Sequence, residues 1–183
     1  FGYPTVNTNC VQIEELVLPE GVESIGGGAF AGLRSLKRVA IPSTLKTMGS
    51  YAFAYCGQLG SISLPTSLQS IPEFAFQKCT SLTEVRIPST ITSIGDYAFD
   101  GCTQLNDVYT YIAEPTEINM NTFSTYTSAL LHVPSTSYWT YYYDTEWSQF
   151  RDLVEFDAEY EYFYINKDFT ISDERFPNFK DFV

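Results

Sequence analysis

The sequence is poor in the side chains that most enzymes and metal sites require. Its 183 residues include one histidine, His132, and only two tryptophans and two methionines. A single imidazole leaves no spare base for a nucleophilic constellation, which needs nucleophile, base and orienting group together. There is also no Gly-x-Ser-x-Gly elbow. Positive charge is scarce: 10 Lys and Arg against 22 Asp and Glu give a net charge of −12. Nucleic acids and anionic membrane surfaces are held through basic patches, so the balance argues against both as partners. No apolar run approaches the roughly 18 residues of a spanning helix, so this segment is not expected to insert into a membrane. The sequence has no Asn-x-Ser/Thr sequon, and it opens at Phe1 inside a partial repeat. We therefore expect a piece of a longer protein, with any targeting segment out of view.

What is present is a phrase written four times. The aliphatic-Pro pair falls at Leu18-Pro19, Ile41-Pro42, Leu64-Pro65 and Ile87-Pro88, and the Ala-Phe pair at Ala29-Phe30, Ala52-Phe53, Ala75-Phe76 and Ala98-Phe99, each 23 residues after the last. A fixed period of this size marks a solenoid. Four complete copies, 13–35, 36–58, 59–81 and 82–104, follow a degenerate opening in which Val6-Asn7 stands where Ala-Phe should be.

Each copy opens with alternating inward apolar and outward variable residues, such as Arg38-Val39-Ala40-Ile41, which is the period of a strand. Equivalent strands of successive copies should pair in parallel, and the following proline, lacking an N–H, should end each one. A second apolar pair, Leu45 with Met48 or Ile91 with Ile94, should line the opposite wall. Gly26, Gly49 and Gly95 mark a corner that Pro72 also occupies, so its φ there cannot be positive. We read the Ala-Phe-x-x-Cys phrase as a helical or 3-10 turn that fills the coil with Phe. Cys10, Cys56, Cys79 and Cys102 share a column with Leu33. A place that accepts Leu or Cys is buried and apolar, and parallel side-chain vectors do not suit a disulfide. Free, buried, unreactive thiols are expected.

After Asn106 the repeat decays. Residues 1–106 carry 8 acids and 6 bases; residues 107–183 carry 14 and 4, with 20 of the 30 aromatics. We divide the chain into a solenoid at 1–106, a degenerate repeat and C-terminal cap at 107–156, and an acidic aromatic tail at 157–183. Phe123 is one residue late for the Phe column. Leu131 to Pro134 reads as a last strand, and Ser135-Thr136-Ser137 as the cap of a short helix. Trp139 and Tyr142 are expected to plug the coil's open end with Trp147, Phe150, Leu153 and Val154, because an uncovered end exposes core. Tyr160 to Ile171 has strand-like composition around a turn at Asn166-Lys167-Asp168. Asp157, Glu159, Glu161 and Asp168 have calcium-loop spacing, but Tyr162 stands where such a loop needs Gly, so a solvated acidic face is the better reading.

The phrase from Leu36 through Ile41-Pro42, Leu45, Met48-Gly49 and Ala52-Phe53 to Cys56, and the ending from Leu131 through Tyr138, Trp147 and Phe150 to Leu153, resemble the BspA-type leucine-rich repeat. The resemblance covers roughly residues 10–156. It implies a right-handed leucine-rich-repeat solenoid (α/β, with parallel strands and short helical turns) on a secreted or surface-anchored bacterial protein, in a family associated with adhesion. It carries no catalytic motif. No catalytic, metal or cofactor residues are expected: the cysteines lack the close pairing of zinc ligands, and no carboxylate pair is singled out for glycoside hydrolysis.

Binding is the better prospect. Outward strand positions form two ladders, Glu15, Arg38, Ser61, Glu84 and Asp107, and beside it Val17, Ala40, Ser63, Arg86 and Tyr109. Arg38, Glu84, Arg86 and Tyr109 are the candidate ligand-binding residues, facing an extracellular protein or glycan; Glu15 beside Arg38 also reads as an ordinary cross-strand pair. The cap aromatics, Tyr138 to Tyr143, are a second surface. The readings weighed are a monomeric cell-surface adhesion module, a spacer with no ligand of its own, and a glycan-binding accessory.

Overall fold

The computed structural model describes residues 12–157. Cys10, the Val6-Asn7 opening, the strand-like stretch from Tyr160, and all the calcium-loop positions but Asp157 lie outside the described residues. Within them the chain winds as a parallel-strand solenoid. One wall is built from β1 (Glu15–Val17), β3 (Arg38–Ala40), β5 (Ser61–Ser63), β7 (Glu84–Ile87), β9 (Asp107–Thr110), β10 (Leu130–Pro134) and β11 (Asp152–Phe156). A second wall holds the two-residue strands β2 (Ser24–Ile25), β4 (Thr47–Met48), β6 (Ser70–Ile71) and β8 (Ser93–Ile94). All pairings are parallel, and within the repeats they join residues 23 apart, such as Ser61 with Glu84 and Glu84 with Asp107. The fixed letters point inward: Leu36, Leu59, Leu82 and Leu105 are buried, as are Ile62, Val85 and Val108.

The third wall differs from its sequence reading. The Ala-Phe segment is a run of linked turns rather than a helical or 3-10 turn. Tyr51, Phe74 and Tyr97 have φ near +60°, and so do Tyr55 and Lys78 four residues further on in their copies. A left-handed residue breaks a right-handed helix. Alternate N–H groups are freed to reach the next coil: Tyr51 to Glu73 O, Phe53 to Ala75 O and Tyr55 to Gln77 O, at 3.3, 2.9 and 2.7 Å. The intervening N–H groups of Ala52 and Ala54 close turns on Gly49 and Tyr51. The phenylalanines do fill the coil. Phe30, Phe53, Phe76 and Phe99 stack with centroids 5.2, 5.8 and 5.3 Å apart, and Phe123 joins them at 4.9 Å despite its extra residue. Cys56, Cys79 and Cys102 are buried free thiols. Each donates to the carbonyl of the Phe one coil back, at 3.2–3.3 Å.

The corner glycines have their own cause. None of Gly26, Gly49 and Gly95 has positive φ, as Pro72 requires. A Cβ on Gly49 would lie 2.4 Å from the Gly27 nitrogen, and one on Gly95 2.3 Å from the Glu73 nitrogen. The N–H groups of Gly49 and Gly95 donate to Ile25 O and Ile71 O, both at 2.8 Å. Pro72 has no such donor. At its junction the ladders lapse: among the described residues β2 pairs β4 and β6 pairs β8, but β4 does not pair β6, nor β3 β5. The linked-turn wall continues across the gap.

The cap is also redistributed. A 3-10 turn at Ser135–Ser137 leads into α1 (Tyr138–Tyr143), whose start receives no side-chain cap bond. The plug consists of Tyr141, Trp147 and Phe150, all buried. Trp139 and Tyr142, expected there, are 63% and 50% exposed. The reason is phase: a helix this short buries one face, and the face aimed at Thr110 and Ile112 belongs to Tyr141. Its hydroxyl donates to Ile112 O at 3.0 Å and meets Thr110 Oγ1 at 3.2 Å. Trp147 donates its indole N–H to Thr116 O at 2.8 Å, while Phe150 sits edge-on to Phe123, the last ring of the stack. Leu153 packs against the core, and it and Val154 belong to β11, which pairs in parallel with β10.

Candidate functional site

The strand face carries a cluster of charged and aromatic side chains in mutual contact. Register places Ser63, Arg86, Tyr109 and His132 in one row and Ser61, Glu84 and Asp107 in the next. On a strand these positions share a face because they are two residues apart. The Arg86 guanidinium carbon lies 4.1 Å from the centre of the Tyr109 ring, and Tyr109 stacks on His132 at 4.0 Å. Each basic side chain has a carboxylate from the adjoining row: Arg86 Nε to Glu84 Oε1 and His132 Nε2 to Asp107 Oδ1, both at 2.8 Å. Arg86 also donates to the Tyr111 hydroxyl at 3.2 Å, and Phe156 stands edge-on to Tyr109 and Tyr111.

The electrostatics follow from this packing. Burial works against the charge of Arg86, but the Glu84 carboxylate and the Tyr111 phenol outweigh it and leave the guanidinium pKa raised. The Tyr109 phenol is raised, first by burial, with Arg86 pulling the other way. Tyr109 is therefore a neutral ring between two basic side chains. Both are shielded, since the side chains of Arg86 and His132 are 12% exposed. The face turned to solvent consists of Glu84, Asp107 and part of Tyr109.

Three of the four sequence candidates, Glu84, Arg86 and Tyr109, meet in this cluster. Arg38 does not: it pairs with Glu15 across β1 and β3, on the far side of the lapse, and is well exposed. Lys37–Glu14 and Lys46–Glu23 are similar exposed pairs across the same two coils, at 3.0 and 2.9 Å. Asp107 lies in a sequence ladder but is not among those four candidates, and neither are His132, Tyr111 and Phe156. The register of Leu131-His132-Val133-Pro134 already pointed at His132, which falls 23 residues after Tyr109. Phe156 carries no repeat signal.

A second surface is the outer side of α1, where Trp139, Tyr142 and Tyr143 are 63, 50 and 75% exposed. Among the described residues no group of three or more His, Cys, Asp or Glu side chains could hold a metal ion, and no helix is long and apolar enough to cross a membrane.

This coil matches the family described as BspA type leucine rich repeat region, in six copies over residues 5–129. The chain belongs to that family. Among curated proteins none matches it. Solved leucine-rich-repeat structures do. A leucine-rich repeat protein from Bacteroides ovatus is 28% identical, with a TM-score of 0.59 over 68% of this chain and 31% of that one. The pneumococcal vaccine antigen PcpA has a TM-score of 0.62 over 79% of this chain and 42% of its own, at 19% identity, a likeness of fold. The T. pallidum leucine rich repeat protein is 30% identical, with a TM-score of 0.45 over 52% of this chain and 58% of that one. The chain thus spans less than two thirds of each. In this BspA-type coil the repeated prolines and Ala-Phe pairs are buried from Pro42 onward, so the residues open to a partner there are mostly those that differ between copies.

Proposed function

We propose that the chain is a non-enzymatic binding module of a secreted or surface-anchored bacterial protein, acting as a monomer that presents its strand face to an extracellular protein or glycan. The observation that carries this reading is the Arg86–Tyr109–His132 row. Its rings and basic groups are stacked, paired and fixed on a rigid sheet before any ligand arrives. Preorganisation of this kind lowers the ordering cost of binding, and solenoids bind through such extended faces. Glu84, Asp107 and the open part of Tyr109 would touch the ligand; Arg86 and His132 position them. Family membership supports an interaction role, and the family resemblance supports the surface setting.

The test is a binding screen of the chain against matrix proteins and a glycan array, repeated with Glu84→Gln/Asp107→Asn and with Tyr109→Ala. We expect a hit that weakens at least tenfold in both variants, the loss of about 1.4 kcal/mol or more that marks a hot-spot residue rather than an ordinary contact. A hit indifferent to all three changes would remove the strand face from the reading. The spacer alternative is favoured by the internal pairing of Arg38, Arg86 and His132, each of which has a carboxylate partner within the chain. No binder in the screen, with a correctly folded chain, would leave the spacer standing.

A further inference from the structure

The outer side of α1 is a surface that the strand-face reading does not use. Its rings contact one another at helical spacing: Trp139 is edge-on to Tyr142 at 5.6 Å and stacked on Tyr143 at 6.1 Å, and Tyr138 stacks on Tyr142 at 6.1 Å. The helix is pinned from beneath by the buried Tyr141 and its bonds to Thr110 and Ile112. The exposed rings are therefore held rigidly, as binding aromatics need to be. Two of them are more than three-fifths exposed, which is unusual for side chains of this size.

Charge says what kind of partner suits them. Residues 87–150 contain seven acidic side chains and neither Lys nor Arg. Their one histidine is engaged with Asp107. Asp144 and Glu146 follow directly after α1, and Glu114 acts electrostatically on Tyr141 beneath it. Aromatic ring faces are themselves negative and attract cations, Arg most often. An anionic glycan would be repelled here, and so would a second copy of this chain at net charge −12. We propose that the Trp139–Tyr142–Tyr143 face of α1 docks an Arg- or Lys-bearing segment of a partner protein, the cations stacking on the rings and the flanking carboxylates steering their approach.

The test uses the intact chain and two amidated octapeptides of the same aliphatic composition, one carrying arginine at two positions and the other citrulline, its neutral isostere. Trp139 is the reporter, isolated from buried Trp147 by comparison with Trp139→Phe. We expect the free chain to be quenched by acrylamide at Trp139. We expect the arginine peptide to shift that emission with an affinity that falls at least tenfold between low and moderate salt. Citrulline, or Tyr142→Ala/Tyr143→Ala with Trp139 kept as reporter, should weaken binding at least tenfold, with unchanged circular dichroism. Glu84→Gln/Asp107→Asn should leave peptide binding intact, which separates this surface from the strand face. A Trp139 already shielded from acrylamide would overturn the proposal, because the face would be covered within the chain. So would equal binding by the citrulline peptide, indifference to the double aromatic substitution, or a neutral oligosaccharide such as maltohexaose shifting Trp139 when the arginine peptide does not.

Discussion

At the scale of single residues, two side chains with the same unusual backbone separate strain from packing. Lys78 and Phe74 have φ of 57° and 59°. A non-glycine residue in this region costs about 1–2 kcal/mol. Lys78 returns only an exposed cation–π contact with Tyr55 at 5.4 Å, worth about 0.5–1 kcal/mol. Phe74 stacks on Tyr51 at 4.6 Å and on Tyr97 at 5.0 Å, and each such pair is worth about 0.5–1.5 kcal/mol beyond area burial. Lys78→Gly should therefore change stability by less than about 1 kcal/mol, and Phe74→Gly should lose about 2 kcal/mol or more, read as urea midpoints. Equal losses would mean the outer stack contributes nothing. The inner stack is stronger: Phe53, wholly buried between Phe30 and Phe76, should cost about 3–5 kcal/mol on replacement by Ala. The inner Phe column was plain in the sequence, but the outer column of Tyr51, Phe74 and Tyr97 was not part of that reading. The positive φ was not plain either, because Tyr, Phe and Lys stand where Gly28, Gly32 and Gly101 reveal the conformation only in other copies.

At the scale of elements, Pro72 interrupts what its column otherwise supplies. Gly49 and Gly95 each donate an N–H across the corner to the coil before; Pro72 cannot, and both ladders lapse at that junction. Restoring a donor should close the second-wall ladder. Pro72→Gly is the suitable change, since in a closed ladder a Cβ would crowd the neighbouring backbone as it would at Gly49 and Gly95. One hydrogen bond adds about 0.5–1.5 kcal/mol, and the added freedom of the unfolded chain takes part of it back. The clearer readout is hydrogen exchange: the N–H that Pro72→Gly introduces should be protected, and the exchange of the coils on either side should become alike. An unprotected N–H would show that the lapse has another cause. Gly95→Ala is the converse, and should destabilise well beyond a surface change, because the obstacle is backbone. The strands, their register and the proline stops were legible because each is written four times. The cap was not. Its helix is a single copy with six consecutive residues that are nearly all aromatic, so no period shows that Tyr141 faces inward and Trp139 outward. The site was half legible for the same reason: Arg86 and Tyr109 sit in a ladder, while Tyr111 and Phe156 reach the cluster from outside it.

At the scale of the whole molecule, the buried column of thiols makes the coil vulnerable to alkali. Burial pushes Cys56 and Cys102 up to about 12, and Cys79 well upward, while the Tyr126 and Tyr141 phenols are also raised, mainly by burial. In each case the folded state keeps its proton longer than the unfolded state. The stabilisation is therefore complete below the thiol value of the unfolded chain, near 9, and is lost as pH rises from there through the folded value near 12. Each group that ionises only on unfolding lowers stability by about 1.4 kcal/mol per pH unit within that window. Acid has no comparable effect on these groups, which are protonated in both states. The urea midpoint should be flat from pH 7 to about 8.5 and fall steeply by pH 10.5, with a shallower fall in Cys56→Ala/Cys102→Ala. Alkylation should run in parallel: at pH 8 iodoacetamide should leave Cys56, Cys79 and Cys102 unmodified in the folded chain and modify all of them in urea, because the thiolate is the reactive form. Rapid labelling of Cys79 without denaturant would place it outside the core. A midpoint that did not move with pH would mean that the thiols ionise equally in both states, so that burial of the column would contribute no pH-dependent stability.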